Sequence, residues 1–348
     1  MLTSFYICIF SYLNVNAEDS FLNKNNVLIY SSDYEVLEAL GYEEDEIMNL
    51  TQEKIDELRE INVSKTYNNE IYLKYDTSEE SENSIFGEQL SKETFYNEVE
   101  EYNKISEANN GISICSVSGT SPSSEKEYDY VAFKVWGVWD ATYGSCGKMI
   151  NKIRARYITN PSKRLTDIIG FCFSNNVHIC KEDIDEEEKP KYEIIVYYDV
   201  REYENYDVVD ELAMIDYYDA SNSEYIYKID EGIAIMFELP SASDIFTGQN
   251  DGDGRGEAYI IDKITLECSF IPKENGINAA TFVGWYAHQL DEVYFIFDEL
   301  DINFELSFPF VTFTGTLDIE TKYLKYQLAI YFEDLYVDDE EDDSIGTC

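Results

Sequence analysis

The sequence predicts a mainly β protein, in which an antiparallel β-sandwich (or a barrel-like variant) follows a small acidic helical N-terminal element. Short runs of alternating apolar and polar residues recur from Tyr128 to Val337, with turn residues between them. Their spacing leaves no room for the long crossover connections that parallel strands require. The chain also contains 30 Tyr and 19 Phe among 348 residues, and aromatic side chains favour strands.

Residues 1–17 are predicted to be a signal peptide. An apolar run from Leu2 to Leu13 precedes the small residue Ala17, which is the pattern of a secretory signal and its cleavage site. The run is too short to span a bilayer. No Lys or Arg precedes it, so a buried N-terminal strand or helix is the alternative. We therefore expect a secreted or cell-surface-associated protein with no transmembrane helix in the mature chain.

Residues 18–66 are predicted to form an acidic helical segment. The apolar residues between Val36 and Leu40 suit one face of a first helix. Gly41 is expected to end that helix, because glycine commonly follows a helix C-terminus. Thr51 is a suitable N-cap for a second helix.

Three further regions complete the predicted organisation. Residues 67–127 are weakly patterned and read as a weakly structured linker region, within which a short strand from Ile71 is conceivable. Residues 128–337 are predicted to form the β-sandwich domain. Residues 338–348, which contain DDEEDD, are expected to be an acidic disordered tail.

Alternation within the β domain assigns side chains to faces. In KIRARYI, Ile153 and Ala155 are expected on one face of the strand, with Arg154 and Arg156 on the other. The stretch FCFSNNVHIC is predicted to be a hairpin that turns at Asn175-Asn176.

Six cysteines would remain after signal cleavage, an even number that permits three disulfides in an exported chain. A two-residue hairpin at Asn175-Asn176 would place Cys180 opposite Phe171 rather than Cys172, so a disulfide between those two cysteines needs a different turn. The six are Cys115, Cys146, Cys172, Cys180, Cys268 and Cys348.

The formal net charge of −46 argues against several classes of partner. A chain this acidic repels phosphate backbones, so we expect no nucleic-acid partner. Anionic membranes and anionic glycans are disfavoured for the same reason. Basic partners and divalent cations remain compatible with it, although the charge also has the simpler reading of solubility alone.

A candidate calcium loop lies in GQNDGDGRGEAYIID. With Asp251 at position 1, Asp253 falls at position 3 and Asp262 at position 12, as carboxylates do in EF-hand loops. Arg255 occupies a position that needs an oxygen ligand, and the following residues read as a strand instead of a helix. The alternatives are therefore a weak calcium site between strands and a glycine-rich connection. No other cofactor is indicated.

A candidate anion site lies on the most basic part of the chain. Arg154, Arg156, Lys163 and Arg164 stand close together in sequence, and such a group suits an acidic ligand or a partner's carboxylate. The alternative is that these cations pair within the chain, for example with the acids of residues 181–188.

Catalytic patterns are weak. Cys146 with His288 as its base is conceivable as a nucleophilic pair, but no catalytic motif supports it.

Trp136, Trp139 and Trp285 suggest a sugar-binding platform. In a regular strand, however, Trp136 and Trp139 would face opposite ways. With 71 acidic residues, the sequence cannot select the facing carboxylate pair that a glycosidase requires.

The layout resembles a group of uncharacterised secreted proteins of low-GC Gram-positive bacteria. The resemblance rests on LEALGYEEDEIMNLTQEKIDEL, RARYITNPSKRLTDIIGFCF, GIAIMFELP and GWYAHQ. It covers most of the chain with short motifs, and it implies export and a β-rich fold but no activity.

These observations together favour an exported, non-enzymatic, surface-associated binding or structural protein, whose partner is an unidentified protein or glycan at the cell surface. The alternatives are a secreted hydrolase that uses carboxylates and a calcium-dependent adhesion module.

Overall fold

Two antiparallel β-sheets packed face to face form the body of the protein, as seen in a computed structural model. The structure describes residues 20–76, 87–110, 128–159, 161, 166–180, 192–204, 207–219, 226–229, 232–239, 256–274, 277–289, 306–307, 312–313, 323–333 and 335.

The N-terminal part of the described chain contains all of the helices that the structure describes. In chain order its elements are β1 (Ser20–Leu22), β2 (Leu28–Tyr30), a 3-10 turn (Ser31–Asp33), α1 (Tyr34–Ala39), α2 (Glu44–Met48), α3 (Gln52–Arg59), β3 (Lys65–Asp76), β4 (Glu88–Leu90) and α4 (Lys92–Asn110).

The remaining elements of the described chain are all strands. They are β5 (Tyr128–Asp140), β6 (Lys148–Tyr157), β7 (Thr166–Phe173), β8 (Val177–Ile179), β9 (Glu193–Glu204), β10 (Asp207–Asp219), β11 (Ile226–Ile229), β12 (Gly232–Glu238), β13 (Gly256–Pro272), β14 (Ala279–Gln289), β15 (Leu306–Ser307), β16 (Thr312–Phe313) and β17 (Tyr323–Glu333).

The strand order confirms the predicted fold class. The larger sheet has eight strands in the order β10-β9-β13-β6-β5-β3-β4, with β8 also paired to β13. The smaller sheet runs β11-β12-β7-β14-β17, and β1-β2 and β15-β16 form short ribbons. Among the described strands the two large sheets are open at both edges, so the arrangement is a sandwich and not the barrel-like variant.

The hydrophobic core lies between the two sheets, on their inner faces. An aromatic cluster joins them: the ring of Phe270 on β13 lies 4.8 Å from that of Phe282 on β14, which lies 5.2 Å from Phe332 on β17. Each such buried side chain stabilises the fold by about 1.5–3 kcal/mol relative to exposure. The predicted faces of β6 are confirmed, since Ile153 and Ala155 belong to this core.

The predicted hairpin at Asn175-Asn176 is wrong. β7 pairs with β14 in the smaller sheet, whereas β8 pairs with β13 in the larger one, so the turn crosses between sheets. Asn176 fixes this crossing: its side-chain amide donates to the Ala279 carbonyl at 2.8 Å, and its own carbonyl accepts from the Lys273 amide at 2.9 Å. Consistent with this separation, Cys172 and Cys180 are buried free thiols.

Residues 20–61, here called the N-terminal cap, pack on the outer face of the larger sheet. Leu37, Leu40 and Ile55 share a hydrophobic cluster with Val138 of β5 and Ile150 of β6. The predicted helix ends are confirmed. Gly41 follows α1 with a φ of +62°, and the Thr51 hydroxyl accepts from the Lys54 amide at 3.2 Å at the start of α3.

The prediction of a weakly structured stretch at residues 67–127 missed helix α4 and the short strand β4, and it anticipated only the part of β3 that begins at Ile71. Most of the 12-residue strand β3 and the 19-residue helix α4 lie within it. Phe95 and Val99 of α4 pack on Tyr72 of β3 and Tyr130 of β5. This apolar face is short and lies in a polar, acidic sequence, which is why the helical period was not seen.

Several sequence predictions concern residues outside the described ranges. These are the signal peptide at 1–17, the last residues, 111–127, of the linker region at 67–127 and the acidic tail at 338–348, and they stay predictions.

Candidate functional site

A row of cations lies on the outer face of the larger sheet. Lys152, Arg154 and Arg156 occupy alternate positions of β6 and therefore point to one side. Lys263 on β13 is the register partner of Arg156. Lys152, Arg154 and Lys263 are buried although charged, so each needs a compensating carboxylate.

The N-terminal cap supplies those carboxylates. Glu43 accepts hydrogen bonds from Arg154 at 2.8 Å, from Arg156 at 2.9 Å and from Lys263 at 2.9 Å. Glu46, which is buried, accepts from Lys152 at 2.7 Å and also from Arg154. The candidate anion residues Arg154 and Arg156 are therefore paired within the chain, with α2 and the residue before it. Lys163, Arg164 and the acids at 181–188 lie outside the described residues.

The electrostatics of this network favour the ionised form of its carboxylates, whereas burial lowers the pKa of Lys152 to about 8. Burial alone would raise the pKa of Glu43, but the guanidinium groups of Arg154 and Arg156 and the ammonium of Lys263 hold it well below its usual value. The pKa of Glu46 is likewise lowered: burial opposes ionisation, and Lys152 and Arg154 outweigh it. The cap is thus fixed to the sheet by ion pairs that survive mild acid.

An open groove of about 470 Å³ adjoins this network. It lies on the outer face of the larger sheet, between the N-terminal cap and the start of α4. Its floor comes from β3, β5 and β6, and its walls come from α1, α2 and α4. Four basic and three acidic side chains line it, together with six aromatic residues, namely Tyr34, Tyr42, Tyr72, Tyr96, Phe133 and Trp136.

Trp136 forms the centre of the groove floor. Two cations lie over its indole ring, with Lys134 Nζ and Arg154 Cζ each 4.8 Å from the ring centroid. Such cation–π contacts contribute about 0.5–2 kcal/mol each, depending on how far the pair is desolvated. Gly41 lies against the edge of the same ring, so the cap, the floor and the salt-bridge network meet at one residue.

The far wall of the groove has a second set of paired charges. Glu70 on β3 lies 3.5 Å from Lys92 and 3.6 Å from Lys134. Lys92 also lies 5.7 Å above the ring of Tyr72. Tyr96, one turn along α4, is 46% exposed, so its ring is accessible at the groove mouth.

The groove carboxylates with perturbed ionisation are unsuited to acid catalysis. Partial burial would raise the pKa of Glu70, but the Tyr72 hydroxyl, Lys134 and Lys92 lower it, and Glu43 is lowered as described. A general acid on a glycosidase needs a raised pKa instead. The arrangement of these two residues therefore suits hydrogen bonding to a ligand better than proton transfer.

The predicted calcium residues are only partly described. Asp251 and Asp253 lie outside the described residues. Asp262 is the extra residue of a β-bulge in β13, and its carboxylate lies 3.3 Å from Arg156 Nε and 3.9 Å from Lys263 Nζ. A strand follows the loop, as predicted, so the EF-hand geometry is absent and a weak calcium loop stays a prediction.

A second acidic group, which the sequence analysis did not single out, lies in the N-terminal cap. Carboxylate oxygens of Glu43, Asp45 and Glu46 lie within 4.8 Å of one another. Lys263 approaches both Glu43 and Asp45, at 2.9 and 2.5 Å. These carboxylates are therefore neutralised by cations of the chain, and we assign no metal to them.

The nucleophilic pair is wrong. Cys146 is disulfide-bonded, so it has no thiol to ionise. His288 is fully buried between the sheets, where its Nδ1 lies 3.0 Å from Asp167.

Trp136 and Trp139 do not form a shared platform. Trp139 belongs to the inner core, whereas Trp136 lies on the groove floor, so their predicted opposite facing is confirmed.

The sequence analysis missed the residues that organise this site, above all Glu43 and Glu46. Their cationic partners are more than 100 residues away in sequence, with separations of 106 for Lys152 and 113 for Arg156. One local signal was available. Glu43 and Glu46 form a capping box at the start of α2, a pattern readable from three-residue spacing.

Comparisons with known proteins add little to this geometry. No protein-family model and no curated protein matches the chain. A solved structure described as a pore forming protein is 10% identical, covers 60% of this chain and 94% of its own, and has a TM-score of 0.25. Clostridium perfringens delta-toxin is 9% identical over 60% of this chain and 86% of its own, with a TM-score of 0.24. Likeness at this level carries no functional argument.

In the described part of the chain, no helix has the length and apolar character needed to cross a bilayer.

Proposed function

We propose that this chain is an exported, surface-associated binding protein whose groove holds a neutral saccharide chain. The observation that carries the proposal is the open groove of about 470 Å³, which is lined by six aromatic residues together with paired charges. Its export follows from the predicted signal peptide and from the resemblance to secreted proteins.

The groove chemistry favours a polyhydroxylated ligand. Aromatic rings such as that of Tyr96 offer flat apolar faces with a polar tip, against which the C–H face of a sugar packs. The pairs Glu43–Arg156 and Glu70–Lys92 offer donors and acceptors side by side. A few precisely placed polar groups in a partly apolar cleft are what small-ligand sites commonly contain.

A neutral ligand fits the charge of the site and of the chain. The four basic and three acidic side chains in the groove nearly balance. The formal charge of −46 repels a polyanion at long range. The paired cations also leave little unsatisfied positive charge for an anionic ligand.

Binding of neutral oligosaccharides to the full chain tests the proposal. We suggest titration calorimetry with gluco-, manno-, galacto- and chito-oligosaccharides of six units, followed by Tyr96→Ala on the best ligand. We expect a fivefold or greater loss of affinity, because the exposed ring at the groove mouth is removed. Tyr331→Ala is the matched control, since Tyr331 is 49% exposed on the smaller sheet.

Two results would contradict the proposal. One is the absence of binding by all four series at millimolar concentration. The other is an equal loss of affinity in Tyr96→Ala and Tyr331→Ala. Release of shorter products during the titration would favour the carboxylate-dependent hydrolase instead.

A further inference from the structure

The strand β10 forms one end of the larger sheet. Among the described strands it is hydrogen-bonded only to β9, along a register that runs from Asp207 to Asp219. Residues 210–214 are all exposed. A 13-residue strand with an accessible edge offers backbone donors and acceptors to another chain.

Two apolar side chains of β10 extend the inner, core-facing surface of the larger sheet as far as its edge. Leu212 and Met214 pair in register with Val200 and Tyr198 of β9, which pack on the hydrophobic core. Residues that face each other across a strand pair point to the same side of the sheet. Yet Leu212 is 59% exposed and Met214 is 36% exposed. The apolar surface at the edge of the sheet is therefore accessible to solvent.

The charges of β10 are all of one sign. Its sequence DVVDELAMIDYYD contains five acidic residues and no basic one. A second copy of the strand would place carboxylates opposite carboxylates, which is destabilising for directly facing pairs. A segment rich in Lys or Arg would place opposite charges there instead.

The neighbouring strand already shows the pairing that such a segment would make. Arg201 on β9 is the register partner of Glu211, and Arg201 Nε lies 2.6 Å from the Glu211 carboxylate. Asp210 and Asp216 on the same strand have no resolved basic partner on β9, where their register partners are Glu202 and Val196.

We propose that β10 is a docking edge for a basic, extended segment of a protein partner, which adds to the larger sheet as an antiparallel strand. Backbone hydrogen bonds supply the pairing, as in other cases of strand addition. Two apolar residues of the segment cover Leu212 and Met214, and Lys or Arg on either side of them on the same face pairs with Asp210 and Asp216. A further basic side chain on the opposite face lies beside Glu211. This surface is separate from the groove, and the inference does not depend on the proposed saccharide ligand.

A synthetic peptide tests the docking edge on the full chain. The probe is a fluorescein-labelled 11-residue peptide with blocked termini, in which Val occupies the two positions opposite Leu212 and Met214 and Lys occupies those opposite Asp210, Glu211 and Asp216. Its binding is followed by fluorescence anisotropy in 50 and 300 mM NaCl. We expect a tenfold or greater loss of affinity in Asp210→Lys/Asp216→Lys. The matched control is Glu53→Lys/Glu60→Lys, which changes the net charge equally on the exposed side of the N-terminal cap and is expected to stay within twofold of the parent.

Hydrogen exchange on the unaltered chain locates the peptide-binding surface without depending on whether the charge variants fold. We expect the peptide to slow exchange in residues 207–219 and to leave β17, the end strand of the smaller sheet, unchanged. Equal loss in both charge variants would reduce the binding to nonspecific charge attraction and overturn the proposal. So would protection outside β10, or no binding at millimolar peptide, in which case the acids serve only to keep the edge from aggregating.

Discussion

The indole of Trp136 lies directly against the backbone of Gly41. A β-carbon built at position 41 would fall 2.1 Å from Cε2 of the ring, and Gly41 has a φ of +62°. Only glycine satisfies both demands, because the left-handed backbone and the close approach each disfavour a side chain. This contact joins the end of α1 to the groove floor.

Gly41→Ala is therefore expected to destabilise the protein by about 2–4 kcal/mol, which combines left-handed strain with overpacking. Gly144→Ala is the matched control. Gly144 also has a positive φ, of +54°, but nothing lies within 4 Å of its built β-carbon, so only about 1 kcal/mol of strain is expected. Urea unfolding measures both, and equal losses would contradict the packing role of Trp136.

Glu46→Gln is expected to lower the free energy of unfolding by about 3–5 kcal/mol. The change leaves the buried cations Lys152 and Arg154 without their shared carboxylate, and breaking one partner of a buried ion pair carries a cost of this order. Glu57→Gln is the control, because the carboxylate of Glu57 is 61% exposed beside Lys54 and a surface change of this kind alters stability by less than about 0.5 kcal/mol. A loss below about 1 kcal/mol for Glu46→Gln would mean that the cap is held by its apolar contacts alone.

The buried His288 predicts a pH dependence. Burial would lower the pKa of His288, but the carboxylate of Asp167 and, more weakly, that of Asp129 raise it above its usual value. Tyr286 donates to Asp167 and lies 3.0 Å from the Tyr157 hydroxyl across the sheets. Since the folded pKa exceeds the unfolded value of about 6.5, the stabilisation is complete below about pH 6.5 and is lost as pH rises through the folded pKa.

The difference in free energy of unfolding between the parent and His288→Gln, measured from pH 5 to 9, isolates this term. We expect it to be largest at acid pH and to shrink as pH rises. A difference independent of pH would show that folding leaves the pKa of His288 unchanged, and a difference that shrinks at acid pH would show that the buried imidazole stays neutral. Asp167→Asn in the same series should abolish or reverse the slope, because burial lowers the pKa of His288 and only Asp129 is then left to oppose it.

The calcium prediction is tested by titration calorimetry on the full chain. A loop with few ligands outside the cell binds calcium with a dissociation constant of about 0.1–1 mM. Asp251→Asn/Asp253→Asn should abolish that binding, whereas Asp338→Asn/Asp339→Asn, with the same charge change in the acidic tail, should not. Binding that falls equally in both variants would assign the calcium to the general charge of the chain.

Local patterns were enough to predict parts of the fold and not others. The face assignment of Ile153 and Arg154, the glycine stop at Gly41 and the cap at Thr51 depend on neighbours within a few residues, so the sequence alone predicts them. The crossing at Asn176 could not be predicted, because its hydrogen bonds are to residues about 100 positions later. Two short strands around an Asn-Asn turn look the same whether they pair with each other or with different sheets.

In the candidate site too, local patterns predicted some residues, whereas others depend on contacts between distant parts of the sequence. The cations Arg154 and Arg156 stood out because they alternate on one strand. Their partner Glu43 was hidden among 71 acidic residues. Its capping-box spacing with Glu46 indicates the start of a helix, but that spacing does not indicate that either carboxylate is buried. The aromatic floor was visible in composition, but the separation of Trp136 from Trp139 depended on strand geometry.

The salt bridge from Glu43 to Lys263 spans 220 residues, and this constrains the order of folding. The N-terminal cap is synthesised before β6 and β13, the strands that carry its counter-charges. Contacts of such long sequence separation slow folding. The apolar face of the cap therefore stays exposed until most of the larger sheet has been synthesised. A mutation that slows the formation of β13 should also delay the packing of the N-terminal cap on that sheet.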